Sequence, residues 1–92
     1  MNGITTETGY HDNGKLQYIY HFLDGKRHGL TIRYRYNGKM MTKLNYHNGK
    51  PHGIFIWYTK LGKELWRTNY HNGTRCGAWV WLETNTKEFH LL

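Results

Sequence analysis

Three sets of glycines in this 92-residue chain recur at a spacing of 24: Gly14, Gly38 and Gly62; Gly25, Gly49 and Gly73; Gly29, Gly53 and Gly77. Their neighbours keep step. Asn45-Tyr46-His47-Asn48-Gly49 returns as Asn69-Tyr70-His71-Asn72-Gly73, and an aromatic returns as Phe22, Tyr46 and Tyr70. A fixed period of this size means one small supersecondary unit stacked on copies of itself, each resting on its neighbours. Such an array offers a surface rather than an enclosed cavity. The functional question becomes what that surface touches.

Each unit carries two turn signals. One is Asn13-Gly14-Lys15, repeated as Asn37-Gly38-Lys39 and in the degenerate form Leu61-Gly62-Lys63. The other reads as a longer turn spanning Gly25 to Gly29, Gly49 to Gly53 and Gly73 to Gly77. Asn-Gly between alternating segments favours a hairpin, because both residues tolerate positive φ. The segments between are rich in Tyr, Trp, Ile and Thr, and none shows helical spacing. The expected fold is all-β: an elongated, single-layer antiparallel meander of about eight strands, the last of them residues 88–92. Residues 1–92 read as a single domain, with repeats at about 10–33, 34–57 and 58–81 and a partial cap over 82–92.

The alternation also selects a register. A two-residue Asn-Gly turn sets Tyr34 beside Met41, whereas a three-residue loop with a bulged Gly sets it on the same side as Met40. Under the second register one face collects Leu30, Ile32, Tyr34, Met40, Leu44, Tyr46, Ile54, Ile56, Tyr58, Trp66, Tyr70 and Val80. The other takes the more polar set, including Arg33, Arg35, Lys43, Arg67, Phe55, Trp57, Trp79 and Trp81. The bulged loop is the expectation, because it alone yields one clean apolar face.

Composition narrows the class. A mean hydropathy of −0.83 alongside 16% aromatic residues fits neither a disordered chain, which lacks aromatics, nor an ordinary globular core. The lone Cys76 cannot form an internal disulfide. No apolar run approaches the ~18 residues of a membrane span, and the first residues do not read as a signal peptide. The expectation is a soluble intracellular protein, cytoplasmic, with virion or peripheral-membrane placement compatible. The net charge of +7 favours an anionic partner. Yet many lysines (Lys15, Lys26, Lys39, Lys50, Lys63) directly follow turn glycines, where a solvated cation suits the turn.

Taken together, Tyr34 to Lys39, Asn45 to Gly53 (NYHNGKPHG), Tyr58 to Lys63 and Asn69 to Gly77 (NYHNGTRCG) resemble the MORN repeat. More specifically, they look like the variant of roughly 24 residues found in small bacterial antitoxin-like proteins and large DNA viruses. The resemblance runs over about residues 9–88. It decays toward the end, where Cys76 replaces the repeat histidine and Thr86 the turn glycine, as in a terminal capping repeat. It implies an elongated single-layer sheet, no catalytic residues, and roles in scaffolding, homodimerisation or contact with lipid or protein.

Sites of chemistry are few. His47 and His52 flank one turn, and His71 and Cys76 occupy the equivalent places, so zinc across a hairpin mouth is conceivable in chemistry. But His28 recurs as His52 and His47 as His71, which marks residues serving the turns themselves; no metal or cofactor is expected. Cys76 lacks an evident base and oxyanion arrangement, the glycines are hairpin-spaced rather than Walker-like, and carboxylates are scattered. The chain reads as no enzyme. Two surface sets remain. Phe55, Trp57, Trp79, Trp81, Phe89 and Leu91 are the expected partner contacts, because at equivalent positions Thr31 gives way to Phe55 and Trp79, and Arg33 to Trp57 and Trp81. Arg33, Arg35, Lys43 and Arg67 are the candidate anion contacts. The leading expectation is a structural or protein-interaction module, scaffolding or homo-oligomerising through an aromatic face, with no small-molecule substrate. The alternatives are an anionic surface (a membrane or, less favoured, nucleic acid) and an antitoxin-like inhibitor.

Overall fold

The turns set the architecture. In a computed structural model, which describes residues 3–81, Asp24-Gly25, Asn48-Gly49 and Asn72-Gly73 all lie at positive φ (52° and 80°, 52° and 85°, 49° and 89°). That is the mirror-image two-residue turn whose twist matches a right-handed hairpin. Leu23 pairs with Lys26, His47 with Lys50 and His71 with Thr74 across them. These turns are therefore tighter than the long turns expected from the sequence. Gly29, Gly53 and Gly77, at φ 98°, 102° and 97°, belong to bulges inside the returning strands.

The other three turns are the expected three-residue loops. Arg35 N–H donates to the Lys39 carbonyl (2.8 Å) and Gly38 N–H to the Arg35 carbonyl (2.9 Å), a pattern repeated at His11–Lys15 and Thr59–Lys63. Asn13 and Asn37 accept from the backbone N–H of Lys15 and Lys39 through Oδ1 (2.9 Å each). Where Leu61 removes that acceptor, the Thr59 hydroxyl takes its place, accepting from Leu61 N–H and Lys63 N–H (3.3 and 3.2 Å).

These turns join β1 (Thr5–Tyr10), β2 (Leu16–Leu23), β3 (Lys26–Arg27), β4 (Gly29–Tyr34), β5 (Met40–His47), β6 (Lys50–Tyr58), β7 (Glu64–His71) and β8 (Thr74–Trp81). The sheet order is β1-β2-β4-β5-β6-β7-β8, antiparallel throughout, with the short β3 also on β2. No helix occurs among the described residues. The final strand expected over 88–92 and the cap over 82–92 lie outside the described residues. The extents of 49 × 37 × 14 Å describe a slab one layer thick.

The register corrects the sequence reading. Tyr34 does pair with Met40, as the bulged loop requires, but the next pairs are Arg33 with Thr42 and Ile32 with Lys43. A second bulge, opposite Tyr34, inserts one residue and restores the alternative register that the alternation argued against. The same shift follows the other two loops, between Gly9 and Tyr10 and between Trp57 and Tyr58. Each repeat thus carries two compensating one-residue slips, and every side chain beyond them changes sides.

The faces that result are aromatic and aliphatic. Tyr18, Arg33, Thr42, Trp57 and Trp66 form one cross-strand row, with Leu44, Phe55 and Thr68 forming the next. Ile19, Ile32, Lys43, Ile56 and Arg67 form a row on the reverse. Tyr46 and Tyr70 therefore lie opposite Leu30, Ile32, Ile54 and Ile56 rather than beside them. The interior is thin. Tyr58 and Leu65 are the buried apolar side chains among the described residues, joined by Thr31, Thr42, Thr59 and Thr68.

Neighbouring repeats close each other's turns. Gly49 N–H donates to the Arg27 carbonyl and Gly73 N–H to the Pro51 carbonyl (2.8 Å each). Asn13 and Asn37 reach across to the carbonyls of Tyr36 and Lys60. The stems of Lys15, Lys26, Lys39 and Lys50 lie over Gly38, Gly49, Gly62 and Gly73 of the following repeat, their carbons within 3.7 Å of where a Cβ would stand. The lysines after the turn glycines are thus covers for the next turn as well as solvated charges.

Candidate binding face

The aromatic face is built from upright rings on adjacent strands. Trp57 on β6 stacks against its cross-strand partner Trp66 on β7, with centroids 5.5 Å apart and planes 13° from parallel. Phe55 meets Trp57, Trp66 and Tyr70 edge-on at 6.3, 6.0 and 6.3 Å. These geometries are the favoured ones for aromatic pairs. Toward the other end of the face, Tyr18 and Tyr20 stack at 4.3 Å, and Phe22 meets Tyr20 edge-on. Between the two groups stands Arg27. Its guanidinium carbon is 4.2 Å from the Tyr20 ring centroid and 5.2 Å from that of Tyr46, and it donates to the Tyr46 hydroxyl (3.2 Å).

Phe55 and Trp57 share this face with Arg33. The register pairs Trp81 with Trp66, and Trp79 lies in the same strand, β8. Phe89 and Leu91 lie outside the described residues. The four candidate anion contacts do not form one group. Lys43 and Arg67 lie on the aliphatic face, opposite to the sequence reading, because the second bulge reverses them relative to β4. Arg67 pairs with Glu64 three residues earlier. Arg35 sits at a loop and donates to the Tyr58 carbonyl (2.8 Å), the place His11 fills one repeat earlier by contacting the Tyr34 carbonyl. Only Arg33 keeps company with the tryptophans. Sequence reasoning passed over Arg27 and assigned Trp66 to the other side. No motif marks Arg27, since Pro51 and Arg75 occupy its equivalent positions.

The histidines line one edge of the sheet. His28, His47, His52 and His71 follow one another with ring centroids 4.9, 5.8 and 5.1 Å apart. His28 Nδ1 accepts from Asn48 N–H (3.5 Å) and His52 Nδ1 from Asn72 N–H (3.1 Å). The repeat histidine therefore serves the following repeat's turn. No group of three or more ligating side chains among the described residues is arranged to hold a metal ion. Cys76, in the equivalent place after His52, is an exposed free thiol.

Two stretches, residues 5–24 and 27–48, match the family model described as MORN repeat variant. The chain carries MORN-variant repeats. The third unit lies beyond those matches but keeps the same mirror-image turn at Asn72-Gly73 and the same positive φ at Gly77. Neither the curated proteins nor the solved structures yield a match. MORN repeats are in general non-catalytic modules that bind proteins or membranes, so the aromatic face is the feature to interpret in this chain.

Proposed function

We propose that this MORN-variant chain is a non-enzymatic protein-interaction module that docks a protein, either a second copy or another chain, through its aromatic face. The observation that carries the reading is the half-buried ring cluster of Phe55, Trp57, Trp66 and Tyr70, gathered on one face of a sheet 14 Å thick. Stable domains bury a sheet face against a second layer, and no second layer exists among the described residues. Contiguous surface aromatics are characteristic of interfaces, and tryptophan is a frequent hot spot.

Sedimentation velocity at micromolar concentration tests self-docking. If a second copy is the occupant, wild type sediments as a multimer, and Trp57→Ala shifts it to monomer while far-ultraviolet circular dichroism is preserved. A wild-type monomer whose tryptophans are freely quenched points to another chain as the occupant. A multimer indifferent to Trp57→Ala refutes the face. The net charge of +7 supports a second reading, an anionic surface such as a membrane or nucleic acid. Steep weakening of binding with added salt, together with indifference to Trp57→Ala, would establish that reading instead.

A further inference from the structure

The aromatic face has a gap, and the repeat shows where it comes from. Thr31, Arg33, Thr42 and Leu44 hold the positions that Phe55, Trp57, Trp66 and Thr68 hold 24 residues later. Three large rings are thus replaced by two threonines and an arginine. The face sinks beside Phe55 and Trp57 on β6, with Arg27 and Tyr46 also bounding the hollow. The groove has a volume of about 220 Å³, with Thr31, Thr42 and Leu44 among its floor residues, Phe55 and Trp57 along one side and Arg27 and Arg33 in its lining.

Two features point to an occupant. Thr31 is 6% exposed, and its hydroxyl is buried without a hydrogen-bond partner. Such a group is rare in a folded chain and costs free energy until it is paired. Arg27 is held by Tyr20 and Tyr46, and neither it nor Arg33 meets a carboxylate among the described residues. Its fork is pre-oriented with donors to spare.

We infer that this groove seats an aspartate or glutamate side chain from a segment of a partner protein. The carboxylate accepts from Arg27, Arg33 and the Thr31 hydroxyl, and flanking apolar side chains lie against Phe55 and Trp57. The inference rests on the protein-docking reading above and narrows it to an acidic segment of another chain. In a second copy the acid on this face is Glu7, which already accepts from the Tyr18 hydroxyl (3.4 Å). Single-stranded nucleic acid fits less well, because Trp57 and Trp66 stack on each other and Phe55 is engaged edge-on, so these rings are turned toward one another rather than spaced to receive successive bases. A planar lipid headgroup layer does not project into a groove one side chain deep.

A displayed random dodecapeptide library, selected on the wild-type chain, tests this. Selected peptides carry Asp or Glu beside an aromatic or aliphatic residue, and their synthetic forms weaken by at least about tenfold on Thr31→Val with Arg33→Gln. Replacing the peptide acid by its amide causes a similar loss, and the two losses are not additive. Thr31→Val alone leaves the unfolding midpoint unchanged or raised, because its hydroxyl has no internal partner to lose. Selected peptides without acids, binding indifferent to the Thr31 and Arg33 changes, or no enrichment at all would overturn the acidic seat. So would an oligonucleotide or anionic vesicle that binds more tightly and depends on Arg33. Acid-free peptides that still require Trp57 leave the docking face standing, whereas selected peptides indifferent to Trp57→Ala remove the face itself.

Discussion

Replacing Gly53 by alanine tests whether the bulge glycines hold the repeat register. Gly53 sits inside β6 at φ 102°, a conformation that L side chains rarely adopt, and Gly29 and Gly77 repeat it at 98° and 97°. A Cβ there would stand 3.7 Å from Asn45 Cβ, ordinary contact distance, so there is room for the methyl group. The cost is therefore conformational, about 2 kcal/mol for a residue held in a sparsely populated region. For a domain of this size that corresponds to a fall of roughly 8–16 °C in Tm. Relaxing the strain by removing the bulge is no escape, since Leu44–Phe55 and Tyr46–Pro51 would then need to slip past each other along β5 and β6. Urea unfolding followed by tryptophan fluorescence, with the Trp57–Trp66 stack as reporter, measures the loss. A change below about 0.5 kcal/mol, the range of an ordinary surface substitution, would refute the reasoning.

Gly9→Ala is expected to fail for the opposite reason: its φ is not positive, but the Tyr18 ring occupies the place of the new methyl group. The variant should free β1 from β2, seen as rapid amide exchange over Thr5–Tyr10, while β5 to β7 stay protected; uniform protection would contradict this. His52→Ala removes the acceptor for Asn72 N–H and should cost about 1 kcal/mol. Asn72 amide exchange should accelerate while that of Gly73, bonded to Pro51, changes less; an unchanged Asn72 refutes the role. Burial first, and the Glu64 carboxylate second, hold the Tyr58 phenol above its ordinary value, with Arg67 opposing them. A raised folded-state value means stability is intact below pH about 10 and is lost as pH rises through it. Burial and Glu7 raise Tyr18 as well, and the hydrogen bond to Asp12 raises Tyr36. Phenolate absorbance should therefore show several late-titrating tyrosines, of which Tyr58→Phe removes one; a late titration unchanged in amplitude by that substitution would count against the assignment.

The period, the turn positions and the three-residue loops were legible in the sequence because each is fixed by a residue type with a backbone reason, chiefly glycine and asparagine at positive φ. The second bulge was not. It falls at Leu16-Gln17, Met40-Met41 and Glu64-Leu65, ordinary strand residues with no glycine or proline to mark them. Apolar alternation was a poor guide there, because a sheet with aromatic side chains on one face and aliphatic ones on the other has no strictly polar side. The drift from Thr31 and Arg33 to Phe55 and Trp57 was visible as a change of character along the array. Its meaning as a groove depends on which strands stand next to each other. The roles of His28 and His52 were hidden for a related reason: their hydrogen bonds go to a turn 20 residues ahead.

That forward reach gives the array a direction. Arg27 and His28 are made before Asn48 and Gly49, the turn residues they receive, and Pro51 and His52 before Asn72 and Gly73. During synthesis each new hairpin emerges onto a finished docking strip, so growth from the N-terminal end meets its acceptors already in place. A folding nucleus at the other end would have to wait for them. The same arrangement makes the 24-residue module a unit of length change: cutting or adding a whole module leaves every receiving carbonyl and imidazole matched to an incoming turn, whereas an insertion of any other size strands them.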